Sequence, residues 1–559
     1  MKMARLGVLF DREEAEKQWG RGNNVFECYV YEILDHFRLP YQKIDSLEQL
    51  NSFDLLIVAQ CSDTEATQAT QAKILNYVES GGIVIAYGGL NNLKDKLGFK
   101  SQHISTAGYA ELSTFLNQQT PLRYLQAEPW TYEGTELSHS QLGTLLNEDA
   151  YALQRIQHGK GSIERWAVPI PQTIVAMQQG TAPVTLDGIP APDGSANIDE
   201  DILKADDGFE LDWDLDRIFT QTGMPYFPHP YADLWREVIL EHLVKCAMDK
   251  QLTIPLIDYW PTDVKHMAMI SHDSDLNVDE SAQITLDTLK SENVQSTWCM
   301  IAPGYNASIY EQIKKDGHEI ALHYNALEQD DGIWSQEAFE AQLTWLQQST
   351  KVENIISNKN HYTRFEGWGE FFVWCEKYGI EADQSRGPSK RGNIGFLFGT
   401  CQPYFPMAWA DEKNRLYDVL EIGFLTQDLN HHTLADATVI EPFLEGVKRV
   451  NGVAHFLFHQ IHIYQQQPVR EAIVQLIHTA KQQGFSFWTS KQINNWVRGR
   501  RKVEIIGISD LGEIELKGNI YEDKLVVLLP VSAETSQTVK RFGLNCKIAS
   551  IANHILKEA

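Results

Sequence analysis

"GHEIALHYNAL", residues 317–327, opens as a strand and ends on chemistry. Alternation along "HEIALH" puts His318 and His323 on opposite faces. His318 is then left for a structural hydrogen bond, while His323 sits where the strand stops. A zinc hydrolase would place another ligand one helical turn later, at position 327, and that residue is leucine. The stretch is therefore half of a metal site, and the other half has to come from elsewhere in the chain.

The neighbouring sequence repeats the pattern. Strand-like runs recur as "HMAMISHD" (266–273), "VQSTWCMIA" (294–302), "IISNKNH" (355–361), "YDVLEIG" (417–423) and "VAHFLFHQ" (453–460). Helical periodicity over 279–292, 335–350, 367–378 and 469–483 separates many of them. This alternation predicts a (β/α) barrel over residues 258–500, whose functional residues lie at the C-terminal strand ends. Polar residues do cluster where each apolar run stops.

The first of these strands ends in "SHDSD". Asp273 and Asp275, one residue apart on an extended chain, lean to the same side. One can bind a cation while the other acts as a general base. The competing reading is a helix start, because "DSDLNVDESAQ" also has N-cap character. A lone histidine is more often structural than a ligand. Here, however, His323, His361 (after Asn360) and His459 (with His462 just beyond) stand at successive strand ends beside the Asp pair. An open zinc site needs about three such ligands.

The order of these motifs resembles the polysaccharide deacetylase family, the family 4 carbohydrate esterases. "ISHDSD" stands where that family has TFDDG, "GHEIALHYNAL" where it has GHEIGNH[ST]xxH, and "LFH" (457–459) where it has its late LxH. "KNHYTRFEGWGE" (359–370) occupies the RxPxG position. The resemblance covers residues 266–490 and implies a distorted (β/α) barrel and a divalent metal, zinc being expected. It implies Asp273 as base, Asp275 and His323 as metal ligands, and His459 as the acid that protonates the departing amine. Arg364 would orient Asp273, with Lys359 as a substitute, and Glu421 and Arg386 would line the substrate pocket. This chain departs from the family in splitting the Asp pair with Ser274, in Leu327, and in lacking a literal RxPxG. We expect His361 to replace the absent ligand, giving Asp275-His323-His361; Asn325 is a poorer substitute because neutral amide oxygen binds zinc weakly. Trp298, Tyr324, Tyr362, Trp368, Tyr404 and Trp409 cluster near the expected mouth. Trp368 and Tyr404 are taken as sugar-stacking residues and Trp298 as core.

Toward the N-terminus, "ARLGVLF" (4–10), "DLLIVAQ" (54–60) and "GGIVIAYGG" (81–89) alternate with helical "FECYVYEILDHF" (26–37) and "ATQAKILNYVES" (69–80). These predict a doubly wound parallel α/β domain within 1–149. The pattern around "YVESGGIVIAYGG" resembles non-catalytic members of the class I glutamine-amidotransferase-like group. The turn that would carry a catalytic cysteine reads Ala86-Tyr87-Gly88-Gly89, and Cys61 follows a different strand. Residues 150–257 are expected to connect, with an acidic run at 187–217 and an amphipathic helix at 229–251. The acidic run reads as a solvated segment, since its Asp spacing does not fit an EF-hand loop. Residues 503–559 alternate with period two and predict a small β domain.

Composition sets the remaining bounds. The 559 residues are 43% hydrophobic and 22% charged, as in folded multidomain chains. A formal charge of −27 argues against nucleic acid or anionic membrane as partner and suits a neutral or cationic substrate. Seven scattered cysteines without a CxxC imply reduced thiols. No apolar run reaches the roughly 18 residues of a membrane span, and the opening "MKMARLGVLFDREE" lacks a signal-peptide pattern, so a cytoplasmic location is expected. Association with further copies of the chain is left open. The expected activity is metal-dependent removal of acetyl groups from an N-acetylated sugar, oligosaccharide or related amide. The alternatives are a degenerate carbohydrate-binding or assembly module and a barrel glycosidase; the latter leaves the histidine cluster without a role.

Overall fold

A computed structural model describes residues 2–60, 68–134, 138–198, 202–431, 434–518 and 524–552. Cys61 lies outside them. The chain is α/β, as expected.

The barrel sheet runs in the order Leu420–Glu421, Ala382–Asp383, Ser357–Asn360, Glu319–Tyr324, Thr297–Met300, His266–Asp273, Val453–His459 and Thr426–Gln427. Phe485–Phe487 pairs with His266–Asp273 off this path. Every pairing is parallel. Among the described residues the two end strands are not paired, so the sheet is curled but open. The strands of 382–383, 426–427 and 485–487 escape sequence periodicity because each spans only two or three residues.

Register lines up the strand ends. Asp273 lies opposite His459 on one side and Cys299 on the other, and His323 lies opposite Lys359. The separating helices dock by apolar faces: Ile440–Val450, for example, buries Ile440, Phe443, Leu444, Val447 and Val450, the spacing of a core-facing stripe.

The N-terminal sheet departs from expectation. Gln42–Ile44, Leu6–Phe10, Leu55–Gln60, Ile83–Tyr87 and Gly161–Trp166 are parallel neighbours. The sheet then continues antiparallel through Ala150–His158, His139–Leu145, Gly108–Glu111 and Leu122–Tyr124. Its fifth parallel strand thus comes from beyond residue 149, delivered by a hairpin that turns at Gly159 with φ of +60°. Gly161 allows the insertion: a Cβ there would stand 2.0 Å from the Gly82 carbonyl oxygen.

The helix Tyr231–Asp249 is buried on nearly all sides instead of being amphipathic. It packs against the helix Ile170–Gln179 and the strand Leu122–Tyr124, so its polar residues find partners indoors. Trp235 Nε1 donates to the Arg123 carbonyl at 2.7 Å, and Arg236 pairs with Asp233 at 3.0 Å. The acidic run is packed in part. Asp206 accepts from Ser389 and Asn393, Lys390 donates to Asp207 at 2.5 Å, and Arg217 pairs with Asp193 at 3.0 Å. This segment bridges to the barrel mouth through Val184 with Gly367 and Lys204 with Arg364. At the other end, Val527–Pro530, Leu544–Ile548 and Thr538–Arg541 form a sheet completed by Leu256–Ile257 from before the barrel.

Candidate metal and catalytic centre

Three strand ends and one turn converge on a cavity of about 1010 Å³ lined by Asp273, Asp275, His361, His459 and His462, among others. Alternation explains the Asp pair. Asp273 and Asp275 face inward, while the intervening Ser274 turns away and accepts from the Ile301 N–H at 3.0 Å.

Asp275 is the focus. His323 Nε2 lies 3.5 Å from its Oδ1, and His361 Nε2 lies 3.3 Å from its Oδ2. Both imidazoles are held from behind. His323 Nδ1 sits 2.9 Å from the Lys359 carbonyl, and His361 Nδ1 sits 3.1 Å from Asn325 Oδ1. A carbonyl or amide oxygen only accepts, so each Nδ1 carries a hydrogen and each ring is held with its Nε2 turned toward Asp275. His323 Nε2 and Asp275 Oδ1 are buried without a hydrogen-bond partner. Two buried polar atoms left without a partner at this spacing suit a cation. Asp275, His323 and His361 offer ligand atoms within 4.8 Å of one another. An Asp-His-His set is within the donor chemistry of zinc and similar divalent ions.

Position 327 needs no ligand in this arrangement. No helix starts at His323: the chain leaves the strand after Tyr324, and a tight turn follows at Glu328–Asp330. Leu327 is buried, and its N–H donates to Asn325 Oδ1 at 3.0 Å. Asn325 therefore supports His361 from behind, its Oδ1 committed to that ring and to the Leu327 N–H. The turn bearing His361 holds Tyr362 and Thr363 at φ of +56° and +53°. Two consecutive non-glycine residues in the left-handed region cost on the order of 1 kcal/mol or more each, a strain typical of functional turns.

Asp273 stands beside this cluster, its Oδ2 3.7 Å from His323 Nε2. Lys359 Nζ donates to Asp273 Oδ1 at 3.1 Å and to Ser271 Oγ at 2.6 Å. Ser271 Oγ meets His455 Nε2 at 2.8 Å, and His455 Nδ1 meets the Ile422 carbonyl at 3.0 Å. A single polar line thus descends from the mouth into the barrel. Burial alone would raise the Asp273 carboxyl, but His323, Lys359 and His459 outweigh it and hold it below the usual range. The same balance holds Asp275 well below that range through His459, His323 and His361.

Across the mouth, His459 Nδ1 forms a very short hydrogen bond to Asp428 Oδ2, and the His459 N–H donates to Asp428 Oδ1 at 2.8 Å. His459 Nε2 then points into the site, 3.6 Å from Asp275 Oδ2. Burial lowers the affinity of this imidazole for a proton, yet Asp428 and Asp275 together push it up to about 10. An imidazole so biased has a proton to give. Asp428 follows the two-residue strand Thr426–Gln427 and left no periodic trace in the sequence. His455 was more accessible: it shares the inward face of "VAHFLFH" with His459.

Other expected site residues lie elsewhere. Arg364 does not reach Asp273: its Nε and Nη2 bind Glu366 Oε1 at 2.9 and 2.5 Å, and its Nη1 bonds the Ala326 carbonyl. Lys359 fills that place. Glu421 and Arg386 do not line the cavity. Asn358, Asp383 and Glu421 form one row across three strands, on the face opposite Lys359. There the Arg386 N–H donates to Glu421 Oε1 at 3.1 Å, and the guanidinium reaches the Gln178 carbonyl at 3.3 Å. Trp368 and Tyr404 are core: Trp368 donates to the Met407 carbonyl at 2.8 Å and Tyr404 to that of Gln178 at 3.2 Å. Trp298 is core as well. Of the six aromatics, Tyr362 alone lines the cavity.

A separate trio, Glu164, His242 and Cys246, has ligand-like spacing between the strand Gly161–Trp166 and the helix Tyr231–Asp249. Trp166 Nε1 donates to His242 Nδ1 at 3.1 Å, which leaves the proton on Nε2, 3.4 Å from Glu164 Oε2. It is a hydrogen-bonded core network.

A scan against protein-family models returned no match, and neither did a search of curated proteins. Solved structures do show likeness. One is described as a polysaccharide deacetylase from Mycobacterium smegmatis: TM-score 0.32, 14% identity, covering 42% of this chain and 92% of that one. A second, from Bordetella bronchiseptica and described as a polysaccharide deacetylase involved in O-antigen biosynthesis, has a TM-score of 0.26 at 17% identity over 39% and 84%. A β-galactosidase from Bacillus circulans sp. alkalophilus has a TM-score of 0.25 at 14% identity over 31% of this chain, which spans 30% of that enzyme's length. These comparisons lend no support to the amidotransferase resemblance of the N-terminal region. Among the described residues, no helix is long and apolar enough to cross a membrane.

Proposed function

We propose that the chain is a metal-dependent hydrolase that removes the acetyl group from an N-acetylated sugar, oligosaccharide or related amide. The observation that carries this reading is the convergence of His323 Nε2 and His361 Nε2 on Asp275, at 3.5 and 3.3 Å, with ligand-like spacing among the three. Hydrogen bonds to the protein lock the far nitrogens of both rings, as the partners of metal-ligating histidines do. Asp275, His323 and His361 would hold the ion, which when bound supplies Lewis-acid polarisation of the carbonyl and acidifies water.

The chain's own residues do the rest. Asp273, held ionised and oriented by Lys359, takes the proton of the attacking water at Oδ2. His459, protonated and fixed by Asp428, delivers a proton from Nε2 to the leaving nitrogen. The balance is amide plus water giving acetate plus the protonated amine. Acid and base stand on opposite sides of Asp275, with environments that keep one protonated and the other not.

The test measures acetate release from N-acetylglucosamine and its short oligomers by wild-type protein and Asp273→Asn, alongside metal content. Activity that follows bound metal and is lost in Asp273→Asn supports the reading. A metal-free protein, or an Asp273→Asn variant as active as wild type, overturns it.

A further inference from the structure

Asp428 serves two imidazoles. His459 N-caps the short helix Gln460–Gln465, and His462 follows in its first turn. His462 Nδ1 lies 2.9 Å from Asp428 Oδ2, the same oxygen that His459 Nδ1 approaches. The carboxylate accepts from both, so His462 also carries its hydrogen on Nδ1. Because Asp428 is buried, that edge of the ring faces inward. The opposite edge, bearing Nε2, is the one left to the cavity that His462 lines. His431 stacks on the ring at 3.7 Å with planes 16° apart, and Gln466 holds His431 Nδ1 at 2.8 to 3.1 Å. Among the described residues Nε2 of His462 has no protein partner.

This amount of restraint is unnecessary for a surface histidine. Two contacts, a carboxylate at one edge and a stacked ring on one face, fix the plane and tautomer of a side chain that donates nothing to Asp273, Asp275 or His361. We infer that His462 is a substrate-reading residue, whose Nε2 accepts a hydrogen bond from a hydroxyl or amine hydrogen on the leaving-group side of the substrate. The inference rests on the amide-hydrolase reading for its location: His459 delivers its proton to the leaving nitrogen, and His462 stands beside it, ring centres 5.1 Å apart. It narrows the substrate to one that places a hydrogen-bond donor next to the acylated nitrogen, as a hydroxylated amino-sugar does and a simple N-alkyl acetamide does not. Among the described lining residues aromatic stacking falls to Tyr362 alone, so polar reading of this kind carries the selectivity.

The experiment compares wild type, His462→Ala and His462→Gln in two arms. The first is acetate release from N-acetylglucosamine. The second is calorimetric binding of the same sugar in the Asp273→Asn background, which does not need turnover. Loss of one such hydrogen bond predicts that His462→Ala raises KM and weakens binding about tenfold, with kcat and its pH profile unmoved. His462→Gln, which keeps an acceptor, recovers most of the loss. Unchanged KM and binding in a normally folded His462→Ala overturn the inference. So does a fall in kcat at constant KM, which would make His462 an accessory of the Asp428–His459 pair. Absence of acetate release by wild type would defeat the hydrolase reading, while the binding arm still decides His462. A wild-type chain that binds no hydroxylated amino-sugar overturns both.

Discussion

Lys359 Nζ donates to Asp273 Oδ1 at 3.1 Å, deep in the barrel and wholly buried. The charge pair comes from two strands separated by those of 297–300 and 319–324, so the curl of the sheet itself assembles it. Replacing Lys359 by Met leaves the carboxylate buried and uncompensated, a defect worth about 3 to 5 kcal/mol. Thermal melting of Lys359→Met should fall accordingly. The acidic limb of its kcat/KM profile should move to higher pH, because Asp273 loses a cation that favours its charged form. An acidic limb unchanged from wild type would exclude Lys359 as the residue that sets Asp273.

Asp428→Asn keeps the shape of the side chain but not the charge that fixes His459. With the imidazolium no longer favoured, kcat should drop by about 10²- to 10⁴-fold, and KM should rise as well because the same carboxylate fixes His462. Steady-state kinetics on the acetylated amino-sugar decide the matter. Metal content should stay at the wild-type level, since Asp428 bonds His459 and His462 and neither His323 nor His361.

Acid sensitivity should come from histidines as well as carboxylates. His272 and His455 are buried, and burial lowers both to about 3. In the unfolded chain they titrate near 6.5, so between these values the unfolded state holds protons that the folded state refuses. Stability is full above about pH 6.5 and falls as pH drops toward 3, by up to about 1.4 kcal/mol per unit for each ring. Denaturant melts of His272→Gln between pH 7 and 4 should show a shallower loss than wild type. Parallel slopes would contradict this.

Gly161→Ala should disrupt the hairpin strand that completes the N-terminal parallel sheet. The added methyl meets backbone at 2.0 Å, which no side-chain rotation relieves. A destabilisation of about 3 kcal/mol or more is expected, against about 1 kcal/mol for an ordinary surface glycine substitution. Urea denaturation measures the difference.

The barrel was legible because its long strands are apolar and end in charge: 266–273, 319–324 and 453–459 stand close to where the periodicity placed them. Asp275, His323 and His361 were readable as a group for the same reason. Residues that act from strands of two residues were not: Asp428 has no pattern around it. Parity misled the reading of Glu421, which ends a strand yet faces away from the cavity beside Asp383. Arg364 lost its place to Lys359 because reach depends on which face the strand presents, and Lys359 shares the inward face with His323 while Arg364 follows the turn. The helix 231–249 shows the opposite limit, since charged residues read as solvent-facing were buried by paired neighbours.

The most direct measurement of the account is metal stoichiometry by elemental analysis of wild type and His361→Ala, purified in parallel and dialysed against trace zinc. The account predicts close to one equivalent in wild type and a loss of most of it in His361→Ala. The drop should come with a lower melting temperature gain on adding zinc. Full occupancy in His361→Ala would contradict the Asp275-His323-His361 centre.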